Sequence, residues 1–243
     1  MPNSVDWRTI IALGSNWTPA WIGNMTSRKT LTAILFAAAP LMSEVLVAQM
    51  PGTPVLQNAF ANTGITAAVN AASLGGASSY AIAGAWAPAA RFQFSGGVGI
   101  QTRSGSSSHT LYGARLNVPL VGESANFGVS VFAGYGGLSG GTVDSSIAKS
   151  VVPLGATVGY RLALGTGRGV SIYGSPIYER VSRGGGASGV TVFRGAVGLD
   201  VGITPSIGGT LGVELGQKQP DGSGKPSGTA FGFAVSYAFG AGR

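Results

Sequence analysis

The sequence predicts an all-β fold: an antiparallel, up-and-down transmembrane barrel of about ten strands. Three observations lead there. Only 9% of the 243 residues are charged, 42 are glycine and the mean hydropathy is +0.32, whereas an ordinary soluble domain is roughly 25% charged. From residue 64 onward apolar residues recur at every second position, among glycines that disfavour a helix. In the final segment Phe231, Phe233, Val235, Tyr237 and Phe239 share one face, and Ala230, Gly232, Ala234, Ser236 and Ala238 share the other. A half-buried soluble strand would carry Lys, Glu or Thr on its second face. This one carries almost nothing larger than a methyl group, which suits large residues turned to lipid and small ones turned to a narrow lumen.

The elements follow in chain order. Residues 1–24 fit no part of an export signal and read as a gene-call extension, with Met25 as the start. Residues 25–49 have the order of a secretory signal peptide: basic Arg28-Lys29, an apolar run from Leu31 to Leu41, and a small-residue cleavage zone at Val47-Ala48-Gln49. The apolar run is too short to span a bilayer, which takes about 20 residues. Beyond Gln49 there is no run of 18 apolar residues, so a membrane-resident mature chain has only a closed barrel open to it. Residues 50–62, with Pro51 and Pro54, read as a periplasmic lead-in, and residues 63–240 as the barrel.

Ten strands are expected at 64–74, 78–88, 91–102, 109–120, 126–138, 150–164, 169–182, 189–203, 206–217 and 228–239. The two-faced pattern is plain in Phe92, Phe94, Gly96, Val98 and Ile100. It recurs in Val152, Leu154, Ala156, Val158, Tyr160 and Leu162, and again in Ile207, Gly209, Leu211, Val213 and Leu215. The first segment is the weakest, being rich in Ala and Asn. Eight strands, with 64–74 as an inner segment, is the second count the pattern allows. Connections alternate between short turns (88–90, 122–125, 165–168, 204–206) and longer Ser/Gly-rich loops (103–108, 139–149, 183–189, 217–228), as expected when turns face one side of a membrane and loops the other.

The segment Gly232-Phe233-Ala234-Val235-Ser236-Tyr237-Ala238-Phe239 resembles the C-terminal signal of bacterial outer-membrane β-barrels, carried here by Phe233, Val235, Tyr237 and Phe239. In that class the terminal aromatic is usually the last residue; here Gly240 to Arg243 follow. The resemblance, at the level of the small barrel class, covers roughly residues 60–239. It implies residence in the bacterial outer membrane after signal-directed export, lipid partners including lipopolysaccharide, and recognition by the barrel-assembly machinery. It implies no particular activity.

Within the strands, alternation places Arg91, Arg115, Arg161, Glu179, Arg194, Asp200 and Glu214 on the inward face. A charge facing the lipid midplane costs about 2–4 kcal/mol in barrels, so inward sorting is expected. These groups form either an internal ion-pair network or the lining of a narrow pore, and a packed interior is favoured at this strand number. Tyr80, Trp86, Tyr112, Tyr135, Tyr160, Tyr173, Tyr178 and Tyr237 read as aromatic girdles. Glycine tracts such as Gly134-Tyr135-Gly136-Gly137 and Gly184-Gly185-Gly186 lack the strand-turn-helix setting of a phosphate loop and read as strand glycines.

Catalysis, cofactors and metals are not expected. There is no cysteine, and the lone histidine, His109, reads as a solvated loop residue. Protease-type barrels pair acidic residues with a rim histidine, and deacylase-type barrels place His and Ser two apart; neither pattern is met, since Leu111 stands two after His109. The formal charge of +7 is scattered, without basic runs interleaved with aromatics, so nucleic acid is not an expected partner. The functional expectation is a small barrel with a largely filled lumen in a structural or adhesin-like role. The alternative is a narrow channel for small solutes, with a barrel enzyme acting on lipid or peptide behind it.

Overall fold

The structure is a computed structural model, and it describes residues 64–74, 77–89, 91–103, 108–121, 126–139, 148–164, 168–217 and 229–239. The expected extension at 1–24, signal peptide at 25–49 and lead-in at 50–62 lie outside the described residues. The strands are β1 (Gly64–Leu74), β2 (Ala77–Ala89), β3 (Phe92–Arg103), β4 (His109–Val121) and β5 (Phe127–Ser139). They continue as β6 (Ala148–Ala163), β7 (Gly169–Arg183), β8 (Val190–Gly202), β9 (Ile207–Gly216) and β10 (Thr229–Phe239). Their ends lie within one or two residues of the expected ones.

Each strand pairs antiparallel with its sequence neighbour, and β1 pairs with β10, so the sheet is a closed barrel. The Ala-rich β1 is a full wall strand. It pairs with β2 from Gly64 to Leu74 and with β10 from Ile65 to Leu74. That pairing excludes the eight-strand count, whose inner segment would have left one sheet edge open. Followed once round the barrel, the register returns displaced by about twelve residues, and a stagger of that size goes with strands tilted by roughly 40°.

Burial follows the alternation. On β10, Phe231 (58%), Phe233, Val235, Tyr237 and Phe239 are exposed outward, while Ala230, Ala234, Ser236 and Ala238 are buried inward. Val69, Ile82, Val98, Leu154, Val158, Ile172, Val197 and Leu211 carry the apolar exterior round the other strands. A soluble protein could not present so continuous an apolar wall; this is the exterior of a membrane-spanning barrel.

Turn chemistry is local. Between β8 and β9 the Thr204 hydroxyl accepts the amides of Ile207 (2.9 Å) and Ser206 (3.3 Å), and Pro205 needs no partner for the N–H it lacks. Gly185 and Gly186 have φ of 60° and 74° in the turn after β7. They are turn glycines, correcting their reading as strand glycines, and L side chains would be strained there.

Candidate functional site: the barrel lumen

The inward faces of β4 and β6–β9 carry the charge. Arg115, Glu179, Arg194, Asp200 and Glu214 are buried on inward positions, and Arg161 is half-buried near the end of β6. Arg91 is the exception. It is exposed in the turn before β3, outside the regular alternation, and does not join the group.

Two polar constellations result. In the first, the Arg194 guanidinium donates from Nε to Glu214 Oε1 and from Nη1 to the Gln217 carbonyl (2.5 Å). Gln217 in turn accepts the Phe193 amide on its side-chain oxygen (2.8 Å) and donates its own amide to the Phe193 carbonyl (3.0 Å). The ion pair thus fastens the upper ends of β8 and β9, where Gly216 adopts a φ of 138°. In the second, Asp200 accepts Ser171 Oγ (3.0 Å) on one carboxylate oxygen and Thr210 Oγ1 (2.6 Å) on the other. Arg161 is the cross-strand neighbour of Ser171, so β6, β7, β8 and β9 each contribute one polar residue to a single row. A further rung joins Thr157 and Ser175 hydroxyls at 2.8 Å. With both carboxylates committed to protein donors, these groups act as interior cross-braces.

Between and above these rows the lumen is filled by large side chains. The Arg115 guanidinium lies 3.6 Å from the centroid of the Phe132 ring, a cation–π contact. The same ring covers Gly155, where an added Cβ would come within 2.6 Å of the Pro176 carbonyl oxygen. Tyr173 likewise lies over Gly198. It is buried and inward, which corrects its assignment to a girdle; the other seven aromatics of that set are exposed. Phe132, Ile177 and Ala196 pack together. At the loop end Val151, Val181 and Val192 form a second apolar cluster, with Ala81, Leu111 and Leu138 a third. His109 is the first residue of β4 and is buried in the same region, correcting its reading as a solvated loop residue.

The sequence reading named the charges and missed Phe132, Tyr173, Ile177, Val181 and Val192. On β7 both faces are apolar, so hydropathy alone does not choose between them. Charge does not choose either, since Glu179 and Arg180 stand on opposite parities; in the structure Tyr173, Ile177 and Val181 share the buried face of Glu179, and Arg180 is exposed. Among the described residues no group of three or more His, Cys, Asp or Glu is placed to hold a metal.

No family model matches the chain, and no curated protein matches it. Solved structures do. A bacterial polysaccharide outer-membrane secretin is similar at 11% identity and a TM-score of 0.42 over 67% of this chain, which spans 57% of the secretin's length. The translocator domain of the autotransporter NalP from Neisseria meningitidis is similar at 12% identity and 0.36, over 87% of this chain and 95% of that one. The N-terminal barrel domain of Pseudomonas aeruginosa OprF gives 8% identity and 0.33, over 72% and 96%. The barrel assignment itself stands on the closed register of this chain.

Proposed function

We propose that this protein is a small bacterial outer-membrane β-barrel whose lumen is a packed core, serving as a structural or surface-interaction element that presents its loops and catalysing no reaction. The observation that carries this reading is the commitment of the lumen's charged groups to wall-to-wall contacts. Glu214 is held by Arg194, Asp200 by Ser171 and Thr210, and the Arg115 guanidinium by the Phe132 face. A conducting pore keeps charges facing water, whereas here the Phe132, Ile177 and Ala196 cluster lies level with the Arg194–Glu214 pair and the Val151, Val181 and Val192 cluster lies beyond it toward the loops. The partners that fit are the lipids of that membrane, lipopolysaccharide included, and the barrel-assembly machinery through Phe233, Val235, Tyr237 and Phe239. Signal-directed export from 25–49 is part of the same reading.

The test is conductance of the refolded protein in a planar bilayer. A silent membrane is expected. Discrete current steps at neutral pH that change in Arg161→Glu would replace this reading with a narrow solute channel.

A further inference from the structure

Five inward side chains near the short-turn ends of the strands are not absorbed by the packing. Thr66 on β1, Gln93 on β3, Asn117 on β4, Ser130 on β5 and Ser236 on β10 are 0, 7, 4, 0 and 3% exposed. Among the described residues, Thr66 Oγ1, Gln93 Nε2, both amide atoms of Asn117, Ser130 Oγ and Ser236 Oγ have no hydrogen-bond partner. Gln93 and Asn117 are direct cross-strand partners, yet these atoms do not bond one another. On the opposite wall, Ser171, Asp200 and Thr210 satisfy each other. The unpaired set therefore lines one side of the lumen, on β10, β1, β3, β4 and β5.

Leaving such groups dry is costly, at a penalty comparable to a lost hydrogen bond for each. Small residues surround most of them. Around Thr66, Gln93 and Ser236 the neighbouring inward positions include the small residues Ala68, Ala85, Ala87, Gly97, Gly208 and Ala238, while Arg115 and Phe132 stand beside Asn117, and Phe132 and Thr157 beside Ser130. Eight strands give an interior that side chains just fill, and a ten-strand barrel is wider. Residues this small leave space on the β10, β1 and β3 side of that level. The donor and acceptor set is uncharged and mixed: hydroxyls that both give and take, amide N–H groups that give, and an amide oxygen that takes. The five carry no charge, and the charged side chain beside them, Arg115, lies against the Phe132 ring. A small neutral molecule that donates and accepts in equal measure fits.

We infer that this side of the lumen binds a cluster of water molecules, held by Thr66, Gln93, Asn117, Ser130 and Ser236. The cluster ends below the apolar layer of Val151, Val181 and Val192. The lumen is then a hydrated cup toward the short turns beneath a dry cap toward the loops, and water in it satisfies polar groups that the wall cannot. This inference rests on the barrel reading but not on the absence of conductance.

The test uses the full chain refolded in detergent micelles. Magnetic cross-relaxation between water and the side-chain amides of Gln93 and Asn117 is expected, with the Asn117 signals identified by their loss in Asn117→Leu. Because the chain has no cysteine, single cysteines can be added without background. Ser236→Cys, with Ser130→Cys as a second site, should react with methyl methanethiosulfonate about ten-fold faster or more than Val181→Cys, since access follows local solvation. Thr66→Val should give no gain in stability. Absent cross-relaxation, equal slow modification at the three sites, or a ten-fold shift of the unfolding equilibrium toward the folded state in Thr66→Val would each overturn the inference. The last would mean the hydroxyl is buried dry and unpaired. Conductance is measured separately, so the cup and the closed barrel fail independently.

Discussion

At the scale of single residues, the pair Arg194–Glu214 is the most consequential. Both side chains are buried, so removing one partner leaves the other as an uncompensated interior charge. Glu214→Gln should destabilise the barrel by about 3–5 kcal/mol, read from urea unfolding in micelles. The double replacement Arg194→Met with Glu214→Leu should recover most of that loss, since it buries no lone charge. That these residues point inward was legible in the sequence, because a charge on the lipid face is too costly. Which cation meets which anion was not legible, since it depends on the stagger between β8 and β9. Arg91 shows the limit of parity. It lies on the correct count for the inward face, but one residue before β3 begins, and in a turn the count has no meaning. Tyr173 and His109 fail from the opposite side: a tyrosine in a barrel suggests the interface and a histidine after serines suggests a loop, while the strand geometry turns both inward.

At the scale of elements, β10 and β1 lie side by side and differ in how openly they declare themselves. β10 alternates large and small so sharply that both its faces can be read directly. β1 places Ala67 and Ala71 outward against Ala68 and Ala72 inward, so its sequence contrast is slight. Its role is decided by partners far away in the chain, β10 above all, and no local pattern reports those. Removing residues 64–74 should therefore abolish closure. The truncated chain should lose the faster gel mobility of the unheated, folded barrel, while full-length protein keeps it until heated. Position along a strand matters as much as face. Leu211→Arg, at the middle of β9's outer side, should cost about 2–4 kcal/mol, and Ile207→Arg, at its end, about 0–1 kcal/mol. Reversible unfolding in lipid vesicles would measure both, and equal costs would show that β9 is not positioned across the bilayer as described.

At the scale of the whole molecule, strand positions and their antiparallel succession were readable, since both follow from a period of two interrupted by Gly, Ser and Pro; the count stood between ten and eight until the pairing of β1 decided it. Function was far less readable. The lumen's occupants are large residues drawn from β5, β7 and β8 and fitted against glycines on neighbouring strands, as Phe132 is over Gly155 and Tyr173 over Gly198. Such fits depend on register, which the sequence does not print. The pairing of Ile65 with Phe239 has a last consequence. The first and last strands end side by side, so the order of the chain around the wall is a ring with an arbitrary cut. A circular permutant that joins those two ends through a short linker and opens within 218–228 should rebuild the same wall from β10 round to β9. The identity of the strand made first would then be a matter of synthesis and not of architecture.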